Sequence, residues 1–304
     1  MNCFDKTDVR LVPIGSAANL LLNNRSDLDL VFLPSNDSKQ WKDFMKQFSG
    51  NSQFRNSFLK NTYKQLRSKR VGNVDYPYFN ARIPIIRLFS KRKLQVDIQF
   101  GNIEPIRSSL FVRTCVEYDE RVALLIHWLT NKFLESKILK SSDNLFSRYH
   151  VNMLVIHFLQ AMPYPVLPDI ISLSPWLSKN NDWNNAVKVL TRQGSLYVPS
   201  NSDAPNENSV GELVIQMIDY YSQIDFRKMG IDTRGRVFKK TDNCNATFQI
   251  VDDYFDVSST CRVQESPQFL TRLFEKLKLA VKEENYEKLF HYYTLPKKPV
   301  LTMF

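Results

Sequence analysis

Two aspartates, Asp27 and Asp29, stand one residue apart at the head of an apolar run, "SDLDLVFL". If that run is a strand, alternate side chains share a face and the two carboxylates sit together. Like charges that close repel unless something neutralises them. A divalent cation does so, and Mg2+ prefers carboxylate oxygen. A third acid, Asp97, interrupts the apolar "LQVDIQF", where Val96 and Ile98 face the other side, toward a core. Three acids on two adjacent strands could hold two Mg2+ ions, with Mn2+ as a substitute. Such ions can grip a nucleoside triphosphate and activate a hydroxyl for in-line attack. Upstream, Gly15-Ser16 supplies a second element. Glycine lets backbone approach a phosphate closely, and a serine hydroxyl with the following N–H groups at a helix start can hold an anion. A bare Asp-x-Asp is weak, because "SDLD" also marks turns and caps. The full string G-S-x9-S-D-x-D, followed much later by a lone strand aspartate, is far more specific.

These residues need strands to position them. "VRLVPI" and "LDLVFL" read as strands flanking the Gly-Ser turn. "SNDSKQWKDFMKQF" carries a cap-like Ser35/Asn36/Asp37 and then Trp41, Phe44, Met45 and Phe48 at helical spacing. "NARIPIIRLFS" and "KLQVDIQFG" read as two strands of a hairpin joined by the basic link "SKRK". Beyond Glu104-Pro105 the period changes: "SSLFVRTCVEY", "DERVALLIHWLTNKFLES", "SRYHVNMLVIHFLQAM" and "VGELVIQMIDYYSQI" are helical in pattern. "VPSNSDAPNENS" (198–209) reads as a linker, "ATFQIVDDYFDV" as a late strand, and "SPQFLTRLFEKLKLAVKEEN" as a last helix with Pro267 in its first turn.

Composition narrows the classes. The chain has 304 residues, 43% of them apolar and 12% aromatic, which supports a folded core. No apolar run approaches the roughly 18 residues of a membrane span, and the polar N-terminus lacks a secretory apolar centre. A cytoplasmic or nuclear location is the default expectation. Cys3, Cys115, Cys244 and Cys261 show no zinc spacing and read as free thiols. A net charge of +10 favours polyanionic partners such as nucleic acid.

Gly15, Ser16, Asp27, Asp29 and Asp97 together resemble the signature of the DNA polymerase β-like nucleotidyltransferases. More narrowly, the chain resembles the cytoplasmic poly(A) polymerases and terminal uridylyltransferases, which extend RNA 3′ ends. "ARIPIIRL" resembles that family's strand before its third aspartate, and "FSRYHVNMLVIHFLQ" its helix opening in Ser-Ser-Tyr-Ser. "VGELVIQMIDYYSQIDFRK" and "IVDDYFDVSSTCR" resemble two later family segments, so the likeness covers roughly residues 10–285. The resemblance implies an α+β fold. A small mixed-sheet catalytic domain at 1–104 would precede a mainly helical central domain at 105–304, with a poly(A)-polymerase-associated segment near 208–265 and a cleft between the domains.

The resemblance also assigns nucleotide-site residues. Tyr149 would stack the incoming base beside Ser147 and Arg148. Asp253 and Asp256 would lie near the base edge, with Ser259 where uridylyl enzymes carry a histidine. That missing histidine, with "FDVSSTCR", tilts the expectation toward ATP over UTP, or toward relaxed base choice. Ser108 stands where the family has a ribose-contacting asparagine. Two triphosphate-holding lysines of the family fall at Thr130 and Leu134, with Lys132 and Lys137 nearby in sequence, and Arg148 is expected to take over a phosphate contact. Lys60, Lys64, Arg67, Lys69, Arg70, Lys91, Arg92, Lys93 and Arg262 are candidates for RNA phosphates. With no separate RNA-recognition motif, a protein partner would supply RNA specificity. The expected activity is template-independent, two-metal nucleotide addition to an RNA 3′ end. The alternatives are terminal uridylyl transfer, or a silent scaffold binding RNA or a protein. Oligoadenylate-type synthesis shares the Gly-Ser and the acids, but the helical second region disfavours it.

Overall fold

The computed structural model describes residues 9–24, 26–35, 39–77, 79, 84–91, 93–140, 143–178, 180–199, 206–241, 247–252, 257–261 and 263–290. The chain forms two compact units: Met1–Arg113 with Asn181–Gly194, and Thr114–Asn180 with Ser195–Phe304.

The first unit is built on a mixed sheet of β1 (Val9–Ile14), β2 (Leu28–Pro34), β3 (Asn73–Val74), β4 (Ile85–Phe89) and β5 (Gln95–Phe100), in the order β1-β2-β5-β4-β3. β2 and β5 run parallel; the other neighbours are antiparallel. Alternation decides the faces. On β5, Val96, Ile98 and Phe100 take one face, so Asp97 takes the other. The apolar face is covered by α1 (Lys39–Gly50) and α2 (Ser52–Ser68). Trp41, Phe44 and Phe48 recur at helical spacing on α1 and are buried. Phe58 of α2 meets Phe44 at 5.0 Å and Phe100 at 5.4 Å between ring centroids, and Phe32 meets Phe100 at 5.5 Å. Such aromatic pairs add about 0.5–1.5 kcal/mol each beyond their buried area. Asn51 caps α2 by accepting from the Phe54 N–H at 3.0 Å. The expected cap residues Asn36 and Asp37 lie outside the described residues.

A later segment completes this unit. α7 (Trp183–Leu190) packs beside β1: Arg10 donates to Asn184 Oδ1 at 2.6 Å and lies over the Trp183 ring at 5.5 Å. Helix α3 (Glu104–Tyr118) carries Arg113, whose buried guanidinium donates to the carbonyls of Leu190 at 2.5 Å, Arg192 at 3.2 Å and Gly194 at 3.0 Å. One fixed fork thus satisfies the last carbonyl of α7 and two carbonyls of the chain that follows it.

The second unit is mainly helical. Its main helices are α4 (Glu120–Glu135), α5 (Arg148–Ala161), α8 (Val210–Ser222) and α9 (Ser266–Lys282), with the short α6 (Ile170–Leu173) and α10 (Tyr286–Phe290). A second sheet runs β7 (Val237–Lys239), β6 (Met229–Asp232), β8 (Gln249–Asp252), β9 (Val257–Thr260) in spatial order. α5 is buried from His150 to Leu159, as its near-continuous apolar sequence requires. α8 opens in a reciprocal capping box between Ser209 and Glu212. No described helix is long and apolar enough to cross a membrane.

Burial of two histidines on α5 makes this unit acid-sensitive. His157 bridges the Asp232 carbonyl (Nδ1, 2.9 Å) and the Tyr220 hydroxyl (Nε2, 2.9 Å). His150 Nδ1 accepts the Ser147 N–H at 3.0 Å. Burial pushes both down to about 4 from an ordinary 6.5. The unfolded chain therefore binds more protons between those values. Stability is whole above about pH 6.5 and is lost as pH falls toward 4. Urea unfolding is expected to give about 3–4 kcal/mol less stability at pH 5 than at pH 7. His157→Gln should remove about half of that slope. Equal stability of the wild type at both pH values would refute the assignment.

Candidate functional site

The ladder brings the three acids together. β2 and β5 are registered with Asp29 directly beside Asp97, and Asp27 lies two residues earlier on the same side. One carboxylate oxygen from each of Asp27, Asp29 and Asp97 falls within 4.8 Å of the others. Asp97 is 6% exposed, while Asp27 and Asp29 are half-buried. The trio thus has a protein-held side and an open side. Carboxylate oxygens are hard donors of the kind that a dication such as Mg2+ takes, and these three residues could hold one.

Gly15 belongs to the same site. Its φ is +61°, a conformation that favours glycine, and a Cβ there would stand 3.0 Å from Asp29 Oδ2. Any side chain would press on the Asp29 carboxylate. Gly15, Ser16 and Ala17 form one 3₁₀ turn rather than the start of a longer helix, and Ser16 is half-buried within it. The turn is pinned from α3: the Gly15 N–H donates to Ser109 Oγ at 2.8 Å, and that hydroxyl donates to the Pro105 carbonyl at 2.6 Å. Ser108, expected at a ribose, is half-buried on α3, and its neighbour Ser109 makes the contact to the turn.

Sequence reading missed the cation at the centre. Arg87 stands opposite Asp97 in the β4–β5 register and holds it with a bidentate fork, Nε to Oδ1 at 2.8 Å and Nη2 to Oδ2 at 2.7 Å. Gln95 adds a third contact: its Nε2 lies 3.3 Å from Asp97 Oδ2 and 3.4 Å from Asp27 Oδ2. Turned over, the same amide would accept from Arg87 instead, at 3.2 and 3.3 Å. Folding the predicted hairpin symmetrically about "SKRK" sets Arg87 opposite Val96; the observed register is one residue later and sets it opposite Asp97.

In the second unit, Ser147 is the N-cap of α5, and its hydroxyl lies 2.9 Å from His150 Nδ1. Arg148 is exposed and Tyr149 half-buried at the first turn. Arg148 lies close enough to His127 to help burial lower that imidazole's pKa. Thr130 is buried and Leu134 exposed, and neither is a cation. Lys132 is withheld from any phosphate: it is buried, bonded to Glu135 Oε2 at 3.0 Å and to the Lys288 carbonyl at 3.1 Å. Lys137 is exposed. Ser259 lies on β9 opposite Ile250. Lys69, Arg70, Lys91 and Lys93 are exposed in the first unit. Lys91 and Lys93 occupy the β4–β5 turn, at the end of the sheet where Asp27 and Gln95 stand level. Asp253, Asp256, Arg92 and Arg262 lie outside the described residues.

A parallel pair of strands presenting aligned acids, a glycine turn packed against one of them, and helices on the opposite face are similar to the arrangement in nucleotidyltransferases of the DNA polymerase β-like superfamily, and the comparisons support that likeness. Residues 1–117 match the central palm domain of mitochondrial-like poly(A) RNA polymerases. Over 268 residues the chain is 24% identical to the human poly(A) RNA polymerase GLD2, covering 86% of this chain and 53% of that protein. It therefore spans about half the length of this curated relative. Among solved structures, the GLD-2/RNP-8 complex aligns with a TM-score of 0.64 at 22% identity, covering 93% of this chain and 82% of that one. The Cid1 poly(U) polymerase aligns with a TM-score of 0.67 at 20% identity, covering 94% and 86%. These two structures establish likeness of fold.

Proposed function

We propose that this chain transfers single nucleotides from a nucleoside triphosphate to an RNA 3′ end without a template, with ATP favoured over UTP. The observation that carries this reading is the convergence of Asp27, Asp29 and Asp97 within 4.8 Å beside the Gly15 turn. The relatives support it, since those named above are poly(A) and poly(U) polymerases. Asp27 and Asp29 would ligate both of two Mg2+ or Mn2+ ions, and Asp97 one of them. Bound there, such ions supply charge neutralisation for the triphosphate and acidify the attacking hydroxyl.

The chain's own residues do the rest. The Gly15–Ala17 turn, seated against Asp29, offers a surface on which the triphosphate can lie close to backbone. Arg87 fixes the Asp97 carboxylate with its bidentate fork, so its position is set before substrate arrives. In the reaction, the RNA 3′ oxygen bonds to the α-phosphorus and its proton passes to Asp97. The bond from that phosphorus to the bridging oxygen breaks, and pyrophosphate departs. Tyr149 would stack the base, which tolerates any base and contributes about 1–3 kcal/mol. Arg148, exposed at the start of α5, would contact the triphosphate. A protein partner would choose the RNA; that the GLD-2 neighbour forms a complex with RNP-8 supports a protein partner.

A silent, RNA- or protein-binding scaffold is the second reading. It is favoured by one observation, that neither Thr130 nor Leu134 is cationic and Lys132 is committed to Glu135 and Lys288. One experiment separates these readings. The protein is incubated with a short labelled RNA, Mg2+ and each nucleoside triphosphate in turn, and products are resolved by length. Extension with ATP above all supports adenylyl transfer. Extension with UTP above all indicates a uridylyltransferase, and no extension with any nucleotide indicates the scaffold.

A further inference from the structure

Two helices of the second unit open in the same reciprocal cap, built from different side chains. At α8 the partner of Ser209 is Glu212, an exposed carboxylate that accepts the Ser209 N–H at 2.7 Å. Glutamate or glutamine is the usual residue at that third helical position. At α5 the partner of Ser147 is an imidazole instead. His150 is only 7% exposed, and its Nδ1 lies 3.0 Å from the Ser147 nitrogen and 2.9 Å from the Ser147 Oγ. A backbone N–H can only donate, so Nδ1 is the acceptor and the proton of the neutral ring sits on Nε2. That second N–H is buried and finds no acceptor among the described residues, which costs free energy. The ring is also caged by aromatic neighbours. Phe146 meets it at 5.8 Å, Phe248 at 6.2 Å and Tyr149 at 6.3 Å between centroids, all edge-on. An exposed glutamate would cap α5 as Glu212 caps α8, and it would strand no donor.

What the imidazole adds is rigidity at one place. The body of α5 is buried from His150 to Leu159, so packing fixes it without a special cap. Its first turn carries Arg148, which is exposed, and Tyr149, which is half-buried, and burial fixes these less firmly. His150 grips that turn from two sides. Nδ1 holds the Ser147 N–H and hydroxyl at its start, and the ring edge meets the Tyr149 ring within it. Phe146 and Phe248 hold the imidazole in turn. We propose that His150 is a positioning residue for nucleotide binding, which locks the first turn of α5 so that Tyr149 presents its ring to the incoming base. The role rests on the nucleotide-transferring reading above, in which Tyr149 stacks that base. A stacking ring held in place beforehand loses little freedom when its ligand arrives, so less of the contact energy is spent on ordering it. His150 acts through Tyr149 and touches no nucleotide itself. Burial holds its pKa down at about 4, so the ring remains a neutral acceptor near pH 7.

The test is calorimetric titration of the full chain, in Mg2+, with a non-hydrolysable ATP analogue and separately with inorganic tripolyphosphate, which has no base. Methionine and glutamine are alike in length and differ in the acceptor that the cap needs. His150→Met is expected to weaken the analogue about fivefold, the effect of a lost cap, and to leave tripolyphosphate unchanged. His150→Gln supplies the acceptor again and should bind the analogue as the wild type does. Tyr149→Ala should weaken the analogue about tenfold. Adding His150→Met to it should weaken binding no further, since the histidine works through the tyrosine. Thermal melting accompanies each variant, and His150→Leu takes the place of His150→Met if that protein does not fold. Wild-type affinity in the apolar variant would overturn the proposal, as would no effect of Tyr149→Ala. So would equal losses for the analogue and for tripolyphosphate, or additive losses in the double variant, either of which makes His150 a general support of the fold. A wild type that binds the analogue through both residues yet extends no RNA refutes the RNA-extending reading and leaves the role of His150 standing. A wild type that extends RNA, with Tyr149→Ala weakening the analogue and His150→Met not, refutes that role alone.

Discussion

Asp97→Asn is expected to reduce nucleotide transfer at least about a thousandfold while leaving triphosphate binding largely intact. The substitution conserves volume, so it isolates charge. An amide offers one oxygen where the carboxylate offered two, and it carries no negative charge to hold a dication. Asp27, just before β2, and Asp29 on it remain in place, so the part of the site that faces the triphosphate keeps its ligands. The expected pattern is thus a fall in kcat with a modest change in the nucleotide Kd, measured by single-turnover extension of a labelled RNA and by equilibrium binding of a non-hydrolysable triphosphate. The amide also breaks the fork with Arg87, which in the wild type closes on both Asp97 oxygens at 2.7–2.8 Å. A melting curve therefore accompanies the assay. A variant that melts like the wild type and extends RNA at the wild-type rate removes Asp97 from the reaction, and with it the reading of the three acids as one centre.

Much of this centre could be read before any coordinates, because it depends on local rules. Alternation on a strand puts Asp27 beside Asp29 and turns Asp97 away from Val96 and Ile98, and the ladder bears this out. The hairpin at 85–100 follows from two apolar runs around a short basic link. Helical period gave α4, α5, α8 and α9 within a few residues. What escaped was tertiary. Ser109, rather than the neighbouring Ser108, reaches the Gly15 turn because the phase of α3 against β1 decides which hydroxyl faces it, and sequence does not record that phase. Segment 181–194 joins the first unit across a long stretch of chain, held by Arg113 and Arg10, with no periodic signal to announce it. Lys132 reads as a free cation on an amphipathic helix until α10 supplies the carbonyl that its ammonium caps.

Arg87 explains how three acids can be held together before a metal arrives, and its removal should separate two effects that usually move as one. In the metal-free protein, Arg87→Met leaves a largely buried carboxylate without its cation, at a cost of about 1–3 kcal/mol. Gln95 alone cannot replace a bidentate charged fork. With a metal bound, the sign reverses. A guanidinium bound to the same carboxylate as a dication would repel that ion, so its loss should tighten metal binding about tenfold. Arg87→Met is therefore expected to melt at a lower temperature than wild type in EDTA. It should bind Mn2+ more tightly, as read from the electron paramagnetic resonance signal of the free ion, and gain more thermal stability on Mn2+ addition. That last gain follows by linkage, since a tighter ligand at fixed concentration stabilises the folded state more. The three readings depend on metal occupancy and folding, so they hold whatever the base preference of the enzyme. Identical Mn2+ affinity in the two proteins, with equal thermal shifts on its addition, would show that Arg87 and the metal do not share Asp97. The arginine would then be a structural partner of a carboxylate that the metal never touches, and the centre would shrink to the Asp-x-Asp pair on β2.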